Sequence, residues 1–399
     1  MTAASAAPAA GKRPRNRRAL IVAAASDLFA RDGYDQTTMS DIAAAVAIGP
    51  SAVYRHFPGK QQLLAEVVTA GLEPAQQLVD ALDLRDRAAA LPRLAALTLD
   101  QRHLGVLWQR EARHLADDDR VRLRTQLRGI GHVLAERVQA VRPALGPAAA
   151  DLLSWSMIAV LSSPGFHRIE LPRPRHDRLL ADLLATVLDT DPPAAFTTAP
   201  PAPPAAGLTP ASRREALLNQ AVRMFAAHGY REVGVEDIGA AVGISGPSVY
   251  NHYPSKLDML TTAFHRGTAA LFTDVAAAYT TAASAEDALR TLIRSYVAFG
   301  RAHHDLLGLL VTEISHLPAD ERERRRQAQR DYLAEWTHLL RQVHPGLDAT
   351  AARLRVDAAI DVVNSAVRTP HLRRNPDLPA ALGILAARLL QLPEAGQAR

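Results

Sequence analysis

The sequence predicts an all-α fold of two tandem units, each an N-terminal three-helix head followed by a larger C-terminal helical domain, and three observations predict it. Alanine dominates a chain of 399 residues that is 48% hydrophobic and only 5% aromatic. Such a composition favours closely packed helices, because Ala loses no side-chain entropy on entering one. Apolar residues recur at helical spacing between Gly and Pro punctuation. The chain also repeats itself. Phe29-Ala-Arg-Asp-Gly-Tyr34 returns as Phe225-Ala-Ala-His-Gly-Tyr230, and Val53-Tyr54-Arg55-His56-Phe57-Pro58 as Val249-Tyr250-Asn251-His252-Tyr253-Pro254. Asp41-Ile42 matches Asp237-Ile238 and Gly71 matches Gly267, all at a separation of 196 residues. Lys60 and Lys256, two of only three lysines, occupy equivalent positions. At a separation of 202, Glu111-Ala-Arg-His114-Leu115 aligns with Glu313-Ile-Ser-His316-Leu317, so the duplicated unit is nearly 190 residues long.

The repeat divides the chain into a flexible basic arm (1–16), a first head (17–62), a first helical domain (63–190), a linker (191–209), a second head (210–258) and a second helical domain (259–399). The linker is crowded with Pro and Ala and cannot build a core. As polyproline II, at ~3.1 Å per residue, it would span roughly 60 Å. The net charge is +5, but five cations crowd into Lys12–Arg18, which points either to a polyanion partner or to a solvated tail. The absence of cysteine excludes disulfides, Cys-based zinc sites and Cys nucleophiles. No apolar h-region opens the chain and no stretch approaches the roughly 18 apolar residues of a membrane span, so a soluble cytoplasmic protein without membrane contact is expected.

Within the first head, Leu20, Ala24, Leu28 and Phe29 mark one face of a first helix that Gly33 ends. Thr38-Met-Ser-Asp41 has capping-box form and opens a second helix over about 39–46. After the break Ala47-Ile48-Gly49, Pro50 fits the first turn of a third helix over about 50–57. Val53 and Phe57 face its core, and Ser51, Tyr54, Arg55 and His56 its polar side. Two short helices joined by a tight turn, the second rich in hydrogen-bonding side chains, form a helix-turn-helix. In the second head Gly234 replaces Thr38, so the capping box is expected to be lost, while Ser245 offers a cap for the third helix.

The combination Phe-x-x-x-Gly-Tyr, Asp-Ile-Ala and Val-Tyr-x-His-(Phe/Tyr)-Pro-x-Lys resembles the TetR family of bacterial regulators over 17–71 and 212–267. Beyond those segments the resemblance is one of helix pattern and length. It implies a transcriptional regulator, most simply a repressor, that binds double-stranded operator DNA through the third helix of each head and is released by a small-molecule effector. By position, the resemblance places Tyr54, Tyr250, Lys60 and Lys256 on phosphates and His56 and His252 at the groove edge; ordinary helix packing is the plain alternative for the tyrosines and histidines. Base reading falls to residues that differ between copies: Arg55 suits guanine and Asn251 adenine. Thr38, Ser51, Pro247 and Ser248 complete the candidate DNA-binding set, with Ala52 among the small residues that could reach thymine methyls or phosphates. The basic arm would enter the minor groove or serve as a phosphate tether.

The resemblance further implies that each helical domain holds a ligand pocket and that its last two helices form a dimer surface. Those helices are expected at about 147–162 with 176–189, including Leu179, Leu180, Leu183, Leu184 and Val187, and at about 349–368 with 378–391. Trp108, Glu111, His114, Tyr296, Phe299, Glu313, His316 and Trp336 are the pocket candidates, although isolated aromatics at helical spacing are usually core. The two domains could pair inside one chain as an internal pseudo-dimer, favoured by tethering, or a homodimer of tandem chains could form.

Glu111-x-x-His114 and Glu313-x-x-His316 share the spacing of di-iron bundles, but further inward glutamates are missing and helix-end hydrogen bonds explain them more simply. No metal or cofactor is expected. His303-His304 point about 100° apart on a helix and do not suit joint ligation. Arg322–Arg330 reads as a solvated, ion-paired face. Enzyme signatures are missing: Gly129-Ile-Gly131 opens like a dinucleotide loop, yet Leu134 stands at the third glycine position with no strand before it. An architectural DNA-binding protein without an effector is the remaining alternative, to be recognised by helical domains that lack a cavity.

Overall fold

The structure, a computed structural model, describes residues 16–167, 169–197, 208 and 210–393. Residues 1–15 of the basic arm, with Lys12–Arg15, and 198–207 and 209 of the linker therefore lie outside the described residues. The first unit comprises α1 (Arg17–Asp32), α2 (Met39–Ala45), α3 (Pro50–Tyr54), α4 (Lys60–Asp80), α5 (Arg87–Asp100), α6 (Leu104–Val106), α7 (Asp117–Val141), α8 (Pro147–Ser162) and α9 (Arg173–Leu188). Between α6 and α7 the chain continues as a wide turn, Leu107–Glu111, and a tight one, Ala112–His114. The second unit follows the same order in α10 (Arg213–His228), α11 (Val235–Ala241), α12 (Gly246–Val249), α13 (Lys256–Thr281), α14 (Ala285–Ala302), α15 (His304–Thr312), α16 (Ala319–Val343), α17 (Ala349–Arg368), α18 (Pro370–Arg373) and α19 (Leu378–Leu389). No strand occurs among the described residues, and none of the helices is long and apolar enough to cross a membrane.

Each head closes around a buried kernel. In the first, Ile21, Phe29, Ile42, Val53 and Leu64 are fully buried, and Phe57 nearly so. The Thr38 capping box forms completely: Asp41 N donates to Thr38 Oγ1 at 3.1 Å, and Thr38 N donates to Asp41 Oδ2 at 2.8 Å. In the second head the expected loss is only half right. Glycine has no side chain to accept, but Gly234 N still donates to the Asp237 carboxylate at 2.9 Å. The third helix is shorter than the sequence implies. It ends at Tyr54, and Phe57 N closes a last turn on Val53 O at 3.0 Å, because the residue before Pro58 is disfavoured in the α region. Ser245 precedes α12 without capping it; its hydroxyl bonds that of Ser248 at 2.7 Å instead.

The duplication persists in packing where the sequences have drifted. A Cβ on Gly71 would stand 2.7 Å from Leu104 Cδ1, and one on Gly267 would stand 2.7 Å from Leu306 Cδ2. In both units the small residue lets the long fourth helix approach the element that follows the fifth.

The two units pack against each other within the chain. Helix α8 lies along α17, α9 contacts α19, and α15 meets the Leu107–Glu111 turn. Each pair joins an element to its own repeat counterpart, as a twofold axis between the units requires. Leu180, Leu183, Leu184 and Val187 on α9 are at most 3% exposed, so the apolar faces of the final helices are consumed in the chain. Polar groups cross the same seam: His371 Nε2 lies 2.8 Å from Asp151 Oδ2, Arg368 bonds Gln109, and Arg231 pairs with Asp35 at 3.1 Å. The last pair is telling, because positions 35 and 231 are repeat counterparts that now carry opposite charges. The start of the expected spacer is also fastened. Phe196 is 3% exposed, and Asn375 Nδ2 donates to Thr197 O at 2.8 Å.

The turn of the first helix-turn-helix places Ala47 at a φ of 52°, where the second head has Gly243 at 73°. A side chain there costs roughly 1–2 kcal/mol, which glycine avoids at some entropic expense in the unfolded chain. Ala47→Gly is therefore expected to stabilise the first head by up to about 1 kcal/mol, and Gly243→Ala to destabilise the second by about as much. Denaturant titrations of the two variants check both signs.

Candidate nucleic-acid interface and effector cavity

On the outer edge of each head the third helix and the turn after it offer a matching set of side chains. Tyr54 is 52% exposed and Tyr250 53%, although both belong to a residue type that buries readily. Helix α3 is too short to bury more than one face; Val53 and Phe57 take that face, which turns Tyr54 outward. Arg55, His56, Ser51, Pro247 and Asn251 are exposed as well, and His252 and Ser248 are half-buried. None of Tyr54, Arg55, His56, Tyr250 and Asn251 has a side-chain hydrogen bond or ion pair within the described residues. Thr38 is exposed, but its hydroxyl is committed to Asp41. Ala52 is buried and contributes nothing to this surface.

The lysines behave otherwise. Lys60 Nζ donates to Tyr34 O at 2.7 Å and Thr37 O at 3.0 Å, and it lies 4.2 Å from the Tyr34 ring centroid. Lys256 Nζ repeats the arrangement with Tyr230 O at 2.6 Å, Val233 O at 2.8 Å and the Tyr230 ring at 4.5 Å. Burial lowers the pKa of both ammonium groups. Each lysine thus clamps the loop between the first two helices of its head, a role the sequence reading did not foresee. The arginines at the start of the first helix are also packed: Arg18 lies 4.7 Å over the Phe57 ring and Arg214 4.1 Å over Tyr253.

Glu111 and His114 join head to helical domain. Glu111 is 2% exposed and accepts from Tyr34 N at 3.2 Å; the His114 ring stacks on Tyr34 at 4.5 Å. Arg110 donates to Phe29 O at 2.9 Å and Ala30 O at 2.7 Å, covering the C-terminal carbonyls of α1. In the second unit His316 stacks on Tyr230 at 5.0 Å, while Glu313 turns to Arg113 of the first unit at 2.5 Å. Desolvation lowers the pKa of both histidines. Among the described residues no group of three or more His, Asp or Glu is placed to hold a metal.

A cavity of about 1240 Å³ is centred on the first helical domain and crosses the seam between units, where Phe225–Glu232 of the second head and residues of α15, α17 and α18 line it. Of the expected pocket residues, Trp108, His114, Glu313 and His316 line it. Tyr296, Phe299 and Trp336 do not; they are 5%, 7% and 1% exposed inside the second unit's own core. The sequence flagged the aromatics and passed over the aliphatic residues Leu94, Leu97, Ile130 and Leu134 that surround the space. Only the repeat offset could have drawn attention to them.

Removing the Lys60 clamp should have a recognisable signature. Lys60→Ala is expected to cost the first head about 1.5–3 kcal/mol, the range for charged hydrogen bonds. It should weaken DNA binding without changing the salt dependence. A lysine acting on phosphate would instead reduce the salt slope by about one on substitution; binding isotherms between low and moderate salt distinguish the two.

Comparison with known proteins agrees with this geometry. Residues 21–67 and 217–263 each match the family described as bacterial regulatory proteins, tetR family. A 117-residue stretch is 31% identical to the HTH-type transcriptional repressor KstR2 of Mycolicibacterium smegmatis, covering 28% of this chain and 57% of that protein. A 126-residue stretch is 31% identical to KstR2 of Rhodococcus jostii, covering 30% and 61%. The match thus spans less than two thirds of either relative's length. Among solved structures, a TetR-family transcriptional regulator from Bordetella parapertussis is 21% identical with a TM-score of 0.41, over 46% of this chain and 94% of that one. With the family's N-terminal domain matched twice in one all-helical polypeptide, the chain is a tandem member of the TetR family of bacterial regulatory proteins.

Proposed function

We propose that the protein is a sequence-specific DNA-binding transcriptional regulator, a repressor lifted from its operator by a small-molecule effector. The observation that carries this reading is the pair of uncommitted surfaces at the ends of the third helices, Tyr54-Arg55-His56 and Tyr250-Asn251-His252, exposed except for the half-buried His252, at counterpart positions of two matching heads. Tyr54 and Tyr250 are free to donate to phosphates, while Arg55 and Asn251 supply the guanine and adenine preferences. Ser51, Pro247 and Ser248 border the same surface; Lys60, Lys256 and Thr38 serve it by holding the loops behind it.

The cavity gives the effector a place and Arg110 gives it a route. Trp108 lines the cavity, and two residues on, Arg110 holds the C-terminal carbonyls of α1. A ligand that displaces this turn must shift the head, and DNA and ligand then oppose one another equally by linkage. A cavity of this size speaks against a purely architectural role.

The proposed active species is a single chain. Helices α8, α9, α17 and α19 already bury their apolar faces on each other, and the tether supplies an effective concentration on the order of millimolar. The Asp35–Arg231 pair is half exposed and worth less than about 1 kcal/mol. Its meaning lies in selectivity, because symmetric pairing of two identical heads would set Asp35 on Asp35 and Arg231 on Arg231.

Selection from random DNA with the full-length protein is expected to return two unlike half-sites, bound by one chain of 43.0 kDa as sized by light scattering of the complex. A perfect palindrome, or a site bound by two chains, would contradict the reading. Arg55→Ala should cost about 1–3 kcal/mol and relax preference in one half-site only, and Asn251→Ala likewise in the other.

A further inference from the structure

We infer that the chain has a single effector site, the cavity centred on the first helical domain, and that the effector is an amphipathic anion: an apolar body seated among aliphatic side chains, with a carboxylate or phosphate head held by arginines at the mouth, one molecule per chain. The inference rests on the regulator reading above and adds how many sites bind and what they bind.

The repeat itself supplies the comparison. Helices α7 and α16 are related by an offset of 202, from Asp117–Val141 to Ala319–Val343. At that offset Leu94, Leu97, Ile130 and Leu134 correspond to Tyr296, Phe299, Tyr332 and Trp336. The four aliphatic residues line the cavity. The four aromatic ones are not part of its lining, and three of them pack ring to ring inside their own unit: ring centroids lie 6.1 Å apart for Tyr296–Tyr332, 6.1 Å for Tyr332–Trp336 and 6.0 Å for Tyr296–Trp336. Tyr296 Oη donates to Asn364 Oδ1 at 2.8 Å, which pins the cluster to α17. Tyr332 Oη and Trp336 Nε1 lie near one another and have no well-formed hydrogen bond among the described residues. A small polar group would serve both, whereas a larger guest must displace the rings. On this reading one half is hollow, bordered by aliphatic side chains, and the other is plugged by the larger rings at the same positions.

Charge follows the same division. Helix α7 presents Arg120, Arg124 and Arg128 to the cavity mouth, one per turn. Arg120 pairs with Asp117, but Arg124 and Arg128 have no ion pair or side-chain hydrogen bond within the described residues. Their counterparts in the plugged half, Arg326 and Arg330, both pair with Glu323, at 3.4 and 2.8 Å. The residue at the position of Glu323 in the hollow half is Val121, which is 64% exposed. The counterion is therefore missing on the side that has the cavity. Seven arginines and three carboxylates line the cavity as a whole, and its apolar depth with a cationic mouth matches a molecule of two-part polarity.

The test is calorimetric titration of the full-length protein with decanoate, decyl phosphate and decan-1-ol, each below micellar concentration, with DNA release followed separately by fluorescence anisotropy. The anions are expected to bind at about one molecule per chain and at least tenfold more tightly than the alcohol; whichever anion binds better identifies the head group. Arg124→Ala with Arg128→Ala should bring both anions down to the level of the alcohol, whereas Arg326→Ala with Arg330→Ala should leave the wild-type discrimination. Ile130→Tyr with Leu134→Trp, which copies the plug into the hollow half, should abolish binding of all three while circular dichroism shows the helices intact. Equal affinity for anion and alcohol, two molecules per chain, wild-type binding in the plugged variant, or binding by none of the three would overturn the inference. Binding as expected with no loss of DNA affinity would uphold this site and overturn the effector-release reading instead.

Discussion

The packing of α8 against α17, with α9 against α19, is the interaction on which the rest of the molecule depends. It buries the apolar faces of the last helices inside one polypeptide and sets the two heads about an internal pseudo-twofold axis. A homodimer obtains the same arrangement from two identical chains, so any substitution appears on both sides of its axis at once. Here the two sides are encoded separately. A residue near the axis can acquire a partner of opposite charge without facing itself, as Asp35 and Arg231 show.

That freedom explains why the halves differ as they do. The heads have kept what holds them together: the lysine clamps, the histidine stacks on Tyr34 and Tyr230, and the arginines over Phe57 and Tyr253. They differ at Arg55 and Asn251, on the surface that would meet bases. The helical domains have kept their order and their glycine contacts at Gly71 and Gly267 while diverging in the interior, where four aliphatic positions in one half are aromatic in the other. Conservation between the copies therefore tracks mechanical support, and divergence tracks the places where a ligand or a base would be met.

Much of this was legible in the sequence, for identifiable reasons. The repeat fixed the tandem architecture because identical spacing survives drift in side chains. Caps and Pro50 set the helix starts to within a residue, since capping is a local interaction. The final helices at 147–162 and 349–368 were visible through their length and apolar content. What could not be read was long-range. Lys60 looks like a surface cation until the loop carbonyls of Tyr34 and Thr37 are seen around it. Tyr296, Phe299 and Trp336 looked like pocket walls because large aromatics so often are, yet size is what makes them a plug. Whether a Leu lines a void or fills one depends on what stands opposite, and spacing along the chain does not encode that.

The central claim, that one chain presents two unlike reading heads about an internal axis, is tested most directly by footprinting single-head variants on one composite operator. With Tyr54→Phe and Arg55→Ala in one protein, and Tyr250→Phe and Asn251→Ala in another, the account predicts that each loses protection over a different half of the operator and retains the other. Loss of the same half by both, or symmetrical weakening of both halves by either one, would contradict it.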